Sequence, residues 1–210
     1  MAPENPSPTT IEDAYAGLQW IIEHAPELGI DDKRLLIVGL STGGGIAAGI
    51  ALMARDRGRP TAAGVVLSCP MLDDRDATVS MLQHDKAVIW DRATNRLAWS
   101  TLLGARRATN DVSIYEAPAR ATDLAGLPPV FIDCGSADAF RDEAVSFASA
   151  IWAAGGKAEL HIWPGGFHAF ETIADAKLSM QSSAVRRAWV QRALGTIRAF
   201  EGDGRPLTID

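Results

Sequence analysis

The apolar positions of this chain fall into two patterns that alternate along it. Three short runs are almost unbroken, roughly residues 35–39, beginning Leu35-Leu36-Ile37-Val38, then 64–69 and 129–134; a fourth strand-like run, 158–163, alternates apolar and polar positions. Runs this short and continuous suit parallel strands buried on both faces. Between them, apolar residues recur at helical spacing. Ile11, Tyr15, Leu18, Ile21 and Ile22 form such a stripe, ending near Pro26, and Thr9-x-x-Glu12 reads as a capping box at its start. An Ala-rich helix is expected over 42–57, stopped by Gly58-Arg59-Pro60, with further helices over 140–154 and 183–200. Residues 71–126 carry no strand signal, only two helix-like pieces at about 77–86 and 89–103 and a polar connection; so long an excursion between strands is expected to be functional. The alternation predicts an α/β chain with a mostly parallel sheet flanked by helices. One domain is expected over 1–210, with an insertion at about 71–126, an extended Pro-rich start over 1–8 and a frayed tail over 202–210.

Composition narrows the function classes. The 210 residues are 47% hydrophobic and carry a net charge of −6, as in an ordered globular protein. No basic cluster is long enough to grip phosphates, so nucleic acid is not an expected partner. No apolar run reaches about 18 residues and no leader-like segment opens the chain, so no membrane span is expected and the cytoplasm is the expected compartment. Cys69 and Cys134 each end a strand-like run, and two reduced, buried thiols are expected. No Cys/His spacing suits zinc, and Gly43-Gly44-Gly45 lacks the Gly-Lys-Ser/Thr of a phosphate loop, so neither metal nor cofactor is expected.

Candidate chemistry sits just past three of the strand-like runs. Gly39-Leu40-Ser41-Thr42-Gly43 is a G-x-S-x-G turn between a strand and a helix. Such a turn exposes the serine hydroxyl at the end of the sheet, and the helix N-terminus favours developing negative charge. A lone serine between glycines is more often a plain turn, so the case needs a base and an acid. His168, in Trp163-Pro164-Gly165-Gly166-Phe167-His168, is the base candidate; Asp138, in Cys134-Gly135-Ser136-Ala137-Asp138, is the acid candidate. Asp133 lies inside the strand run, and Asp142 and Glu143 lie in the first turn of the next helix, where acids complement the helix dipole. His24, His84 and His161 fall on a helix, in a polar stretch and within a strand. The C-terminal ends of parallel strands form the active edge of such sheets. There Ser41 would attack a carbonyl carbon, His168 would shuttle the proton, and Asp138 would hold the imidazole tautomer.

At these residues the chain resembles carboxylesterases of the hormone-sensitive-lipase-like group of α/β-hydrolases. The likeness also runs through Glu12-Asp13-Ala14-Tyr15, Pro70-Met71-Leu72-Asp73-Asp74-Arg75 and Asp138-Ala139-Phe140-Arg141-Asp142-Glu143. It implies an α/β-hydrolase fold, the catalytic set Ser41, Asp138 and His168, and the Thr42 backbone N–H as an oxyanion donor. It also implies that the excursion after the second strand is a lid. Trp90, Leu97, Trp99, Leu102 and Leu103 would then line an apolar wall for substrate, with Trp90 and Trp99 as the binding candidates; alternatively, they pack the lid onto the sheet.

Two departures from the pattern shape expectations. Leu40 stands where the group more often has an acidic or polar residue, and Gly45 where it often has Asn. Only 40 residues precede Ser41, and none carries the His-Gly-Gly-Gly type loop that supplies the other oxyanion donors. The chain therefore reads as N-terminally truncated. Its first strand is expected to be a sheet edge, through which the chain would self-associate unless something else covers it. The function that follows is a serine carboxylic-ester hydrolase acting on small or medium acyl esters, slowed by the missing donors. The alternative is a weakly active or non-catalytic relative that binds a ligand or partner in the same cleft. Amide or lactone hydrolysis would share the machinery.

Overall fold

A computed structural model of the chain describes residues 2–58, 62–87 and 89–195. Its elements in order are α1 (Thr9–Glu23), α2 (Ala25–Leu28), β1 (Leu36–Leu40), α3 (Thr42–Asp56), β2 (Gly64–Ser68), α4 (Val79–Gln83), α5 (Arg92–Leu103), β3 (Val130–Gly135), α6 (Arg141–Ala153), β4 (Ala158–Trp163) and α7 (Lys177–Ala193). The strands form one sheet in the order β1-β2-β3-β4, every neighbouring pair parallel. Their C-terminal ends therefore share one rim, which carries Ser41, Cys69, Ser136 and Pro164 just beyond the strands.

One face of the sheet is covered by α1, α3, α6 and the excursion. Ile37, Val65, Leu67, Val130 and Ile132 point into this core, against Leu52, Met53, Phe147 and Ile151. The other face is covered by α7, whose Trp189 packs on Val66 and Phe131. The reach of α7 decides the fate of β1. Both-face burial is realised in β2 and β3, which are buried at every position, but not in β1. There Ile37 and Gly39 are buried while Val38 is 66% and Leu40 42% exposed. α7 reaches that side of β1 only at Leu36, which packs on the Trp189 cluster, and no strand among the described residues lies beside its outer edge.

Other boundaries differ for local reasons. The capping box does not form: Thr9 is already inside α1, with Pro8 as its N-cap. Glu12 reaches instead to Arg57, 2.8 Å away, and so ties α1 to the end of α3. In the excursion, α5 starts at Arg92 because the Asp91 side chain accepts the Thr94 N–H. α7 starts six residues before its sequence signal. Ser179 and Ser182 are buried there, and Ser179 Oγ donates to the Phe170 carbonyl at 2.8 Å. The last part of the expected 183–200 helix and the 202–210 tail lie outside the described residues.

Buried charge ties the excursion to itself and to α6. Asp74, fully buried, accepts two bonds from the Arg120 guanidinium and one from the Ala108 N–H. Asp76 is paired with both Arg92 and Arg96. Glu143, at the start of α6, accepts the N–H groups of Leu72 (2.8 Å) and Asp73 (2.9 Å). Glu143 thus serves the segment after β2 rather than its own helix dipole. Burial holds its carboxyl well above the usual range. The folded protein then keeps the Glu143 proton at a pH where the unfolded chain has lost it. This contribution favours the fold at low pH and is lost as pH rises through the raised value. Glu143→Gln, always neutral and still able to accept both bonds, is therefore expected to gain stability on the wild type between about pH 5 and 8. Glu143→Ala strands two N–H groups and should cost about 1–3 kcal/mol for each buried donor left unsatisfied. Denaturant titrations of the two variants across that range check both expectations.

Candidate active site

Ser41 occupies the N-cap of α3 with φ 56° and ψ −121°. This is a left-handed conformation that costs a non-glycine residue about 1–3 kcal/mol. The turn is held by its main chain: the Ser41 N–H donates to the Ser68 carbonyl at 2.9 Å, and the Ser41 carbonyl accepts from Gly44, Gly45 and Met71. Gly39 is required here, since a Cβ on it would lie 2.1 Å from the Gly43 carbonyl oxygen. The hydroxyl is thereby pushed out over the rim. The Thr42 N–H, at the first position of α3, has no acceptor within the helix and points to the same end.

The rim brings three side chains into contact in sequence. Ser41 Oγ lies 2.9 Å from His168 Nε2, and His168 Nδ1 lies 3.0 Å from Asp138 Oδ2. Asp138 is 1% and His168 6% exposed, so water does not compete for these bonds. Asp138 Oδ1 is fixed from the other side by the Phe140 N–H at 2.9 Å. A carboxylate so placed favours the imidazole tautomer with its proton on Nδ1, leaving Nε2 to accept from the Ser41 hydroxyl.

Main-chain contact sets the spacing of the acid and base loops. Ser136 N–H donates to the Trp163 carbonyl and Ala137 N–H to the Gly166 carbonyl, both at 2.8 Å. A Cβ on Gly135 would sit 2.1 Å from the Gly166 oxygen, so the loops can touch only with glycine there.

The two candidate tryptophans go to different places. Trp90 stands beside the imidazole, 5.4 Å from it between ring centroids, and Phe140 meets the same ring edge-on at 5.2 Å. Trp99 is only 2% exposed and packs in the core. It lines a separate cavity of about 30 Å³ with Met71, Leu103 and Thr42. Leu102 and Leu103 line that same cavity, whereas Leu97 is 69% exposed.

Residues not singled out as site members in the sequence also surround the triad-like set. Cys69 Sγ, Asp138 and His168 offer ligand atoms all within 4.8 Å of one another. Both are poor prospects as a metal pair with Cys69: the imidazole and carboxylate already bind each other, and burial pushes the Cys69 thiol up, beyond thiolate formation at neutral pH. Cys134 is likewise buried and shifted up, and neither cysteine is in a disulfide. Behind Cys69, Glu171 is held above its usual range by burial, and Arg186 reaches between it and Asp133.

Comparison with known proteins places this geometry. The family model of the alpha/beta hydrolase fold matches residues 1–172. The chain belongs to that family. Relatives include Esterase LipI of Mycobacterium tuberculosis, 35% identical over 161 residues, covering 77% of this chain and 50% of LipI. Carboxylesterase NlhH of the same species is 35% identical over 182 residues, covering 83% of this chain and 55% of NlhH. Among solved structures, a bacterial heroin esterase superposes with a TM-score of 0.90 at 42% identity, over 92% of this chain and 62% of that one. The chain thus spans about half the length of these curated relatives. No helix among its described residues is long and apolar enough to cross a membrane.

Proposed function

We propose that this member of the alpha/beta hydrolase fold family is a serine carboxylic-ester hydrolase acting on small or medium acyl esters. The observation that carries the reading is the unbroken chain of contacts from Ser41 Oγ through His168 to buried Asp138. Ser41 Oγ attacks the ester carbonyl as its proton passes to His168 Nε2. Negative charge on the carbonyl oxygen is met by the Thr42 N–H. The tetrahedral adduct collapses, the C–O bond breaks, and His168 gives its proton to the leaving alkoxide. Water, deprotonated by the same nitrogen, then attacks acyl-Ser41; the acyl–Oγ bond breaks, the acid leaves, and His168 Nε2 returns the proton to Ser41 Oγ. The esterases among its relatives support this reading. The two unpaired, buried thiols suit a reducing compartment and support a cytoplasmic setting.

A fluorophosphonate probe tests the proposal directly. Peptide mass spectrometry is expected to find one adduct, on Ser41. An intact, folded chain with no adduct there overturns the hydrolase reading and favours a binding protein.

We also propose that β1 pairs with a second copy of the chain. Its free edge and the exposed Val38 and Leu40 support this. Light scattering should report a dimer or larger species that Val38→Lys shifts toward monomer; a wild-type monomer at high concentration overturns it.

A further inference from the structure

An apolar cleft of about 380 Å³ opens beside the catalytic imidazole, lined by Ala87, Ile89, Trp90, Ala137, Phe167 and His168. Of these lining residues, only His168 and Trp90 carry a polar side-chain atom, and the Trp90 indole N–H is buried without a partner among the described residues. Ile89 is 56% and Phe167 39% exposed, so two large apolar side chains stand in water at the mouth of the cleft. Trp90 forms its inner wall, 5.4 Å from the imidazole.

The position of His168 says which part of a substrate belongs there. Resting on the hydrolase reading above, the nitrogen that takes the Ser41 proton must return it to the leaving oxygen, so that oxygen has to come within hydrogen-bond reach of Nε2. The atoms attached to the leaving oxygen then extend along the His168 side of the site. We infer that the Ile89–Trp90–Phe167 cleft holds the alcohol portion of the ester and selects neutral alcohols bearing a ring or comparable apolar group. A cavity of about 150 Å³ already accommodates benzene, so this cleft has room for a substituted ring. A charged alcohol would find no counter-ion among the described lining residues, and a two-carbon alcohol would leave Ile89 and Phe167 exposed to water. A ring removes both from water, and apolar burial of this kind favours binding in proportion to the area covered. The acyl portion and the attacked carbonyl stay at Ser41 and the Thr42 N–H.

Benzyl acetate and ethyl acetate test this, because they share an acyl group and their alcohols have similar acidity. Wild-type kcat/KM is expected to favour the benzyl ester by about tenfold or more, the scale on which a hydrophobic pocket discriminates. In the double variant Ile89→Ala/Phe167→Ala, two partly exposed positions, that ratio should fall several-fold. The ratio does not depend on the fraction of folded enzyme, so a merely structural effect leaves it unmoved. Turnover of both esters at similar rates, or a ratio unaltered in the double variant, overturns the cleft assignment while leaving the hydrolase reading intact. Labelling of Ser41 without turnover of either ester overturns the assignment but spares the nucleophile. Absence of both overturns the two readings together.

Discussion

Ser41→Ala is expected to lower ester hydrolysis by about 10⁴-fold or more and to abolish fluorophosphonate labelling. The argument rests on the one atom that touches His168 Nε2, at 2.9 Å. Without Oγ no acyl intermediate forms, and the imidazole has only water to activate. Removal of such a nucleophile typically costs about 10⁴-fold or more in kcat. The substitution also probes the strained turn, because alanine must keep the φ of 56°. Ser41→Gly relieves that strain and should melt above Ser41→Ala, by roughly 1 kcal/mol in denaturant titration. A rate unchanged in Ser41→Ala would remove this serine from the mechanism. Equal stability of the two variants would show that the turn stores no strain.

Asp138→Asn should be nearly as damaging to the rate while leaving the fold in place. Asp138 accepts from His168 Nδ1 and from the Phe140 N–H, and it is almost completely buried. An asparagine that keeps its oxygen on the Phe140 N–H presents its NH₂ to His168. Nδ1 then becomes an acceptor, the ring proton moves to Nε2, and Nε2 can no longer take the proton of Ser41. The expected loss in kcat is about 10⁴-fold, with the melting curve close to that of the wild type. A loss below about tenfold would mean that Asp138 does not set the tautomer.

What the sequence reveals follows from which forces are local. Three of the strands are legible because continuous apolar runs bounded by Gly, Pro and Asp have few other uses in an α/β chain, and the fourth by its apolar/polar alternation. Ser41, Asp138 and His168 stand out because each lies on a loop just past such a run, and these are the side chains the structure brings into contact. Features that depend on distant partners are not legible. The open side of β1 depends on how far α7 reaches across the sheet, which no pattern in residues 35–40 records. Glu143 looks like an ordinary first-turn acid until the segment after β2 folds against it. Trp90 and Trp99 share one apolar pattern, yet packing sends one to the imidazole and the other into the core. Even α7 begins early because its buried serines find carbonyl acceptors, a use of polar residues that looks like loop in the sequence.

The contact between the acid and base loops runs through Gly135, Gly166 and backbone amides. Ser136 Oγ adds one side-chain tie by accepting the Gly165 N–H at 2.8 Å, whereas the side chains of Ala137 and Phe167 make none of these bonds. Phe167 and Ala137 can be randomised in a directed-evolution library without detuning the proton relay, whereas Gly135 and Gly166 cannot. If the proposed cleft holds the leaving group, selectivity would be modular, with the part that chooses a leaving group separable from the part that moves the proton.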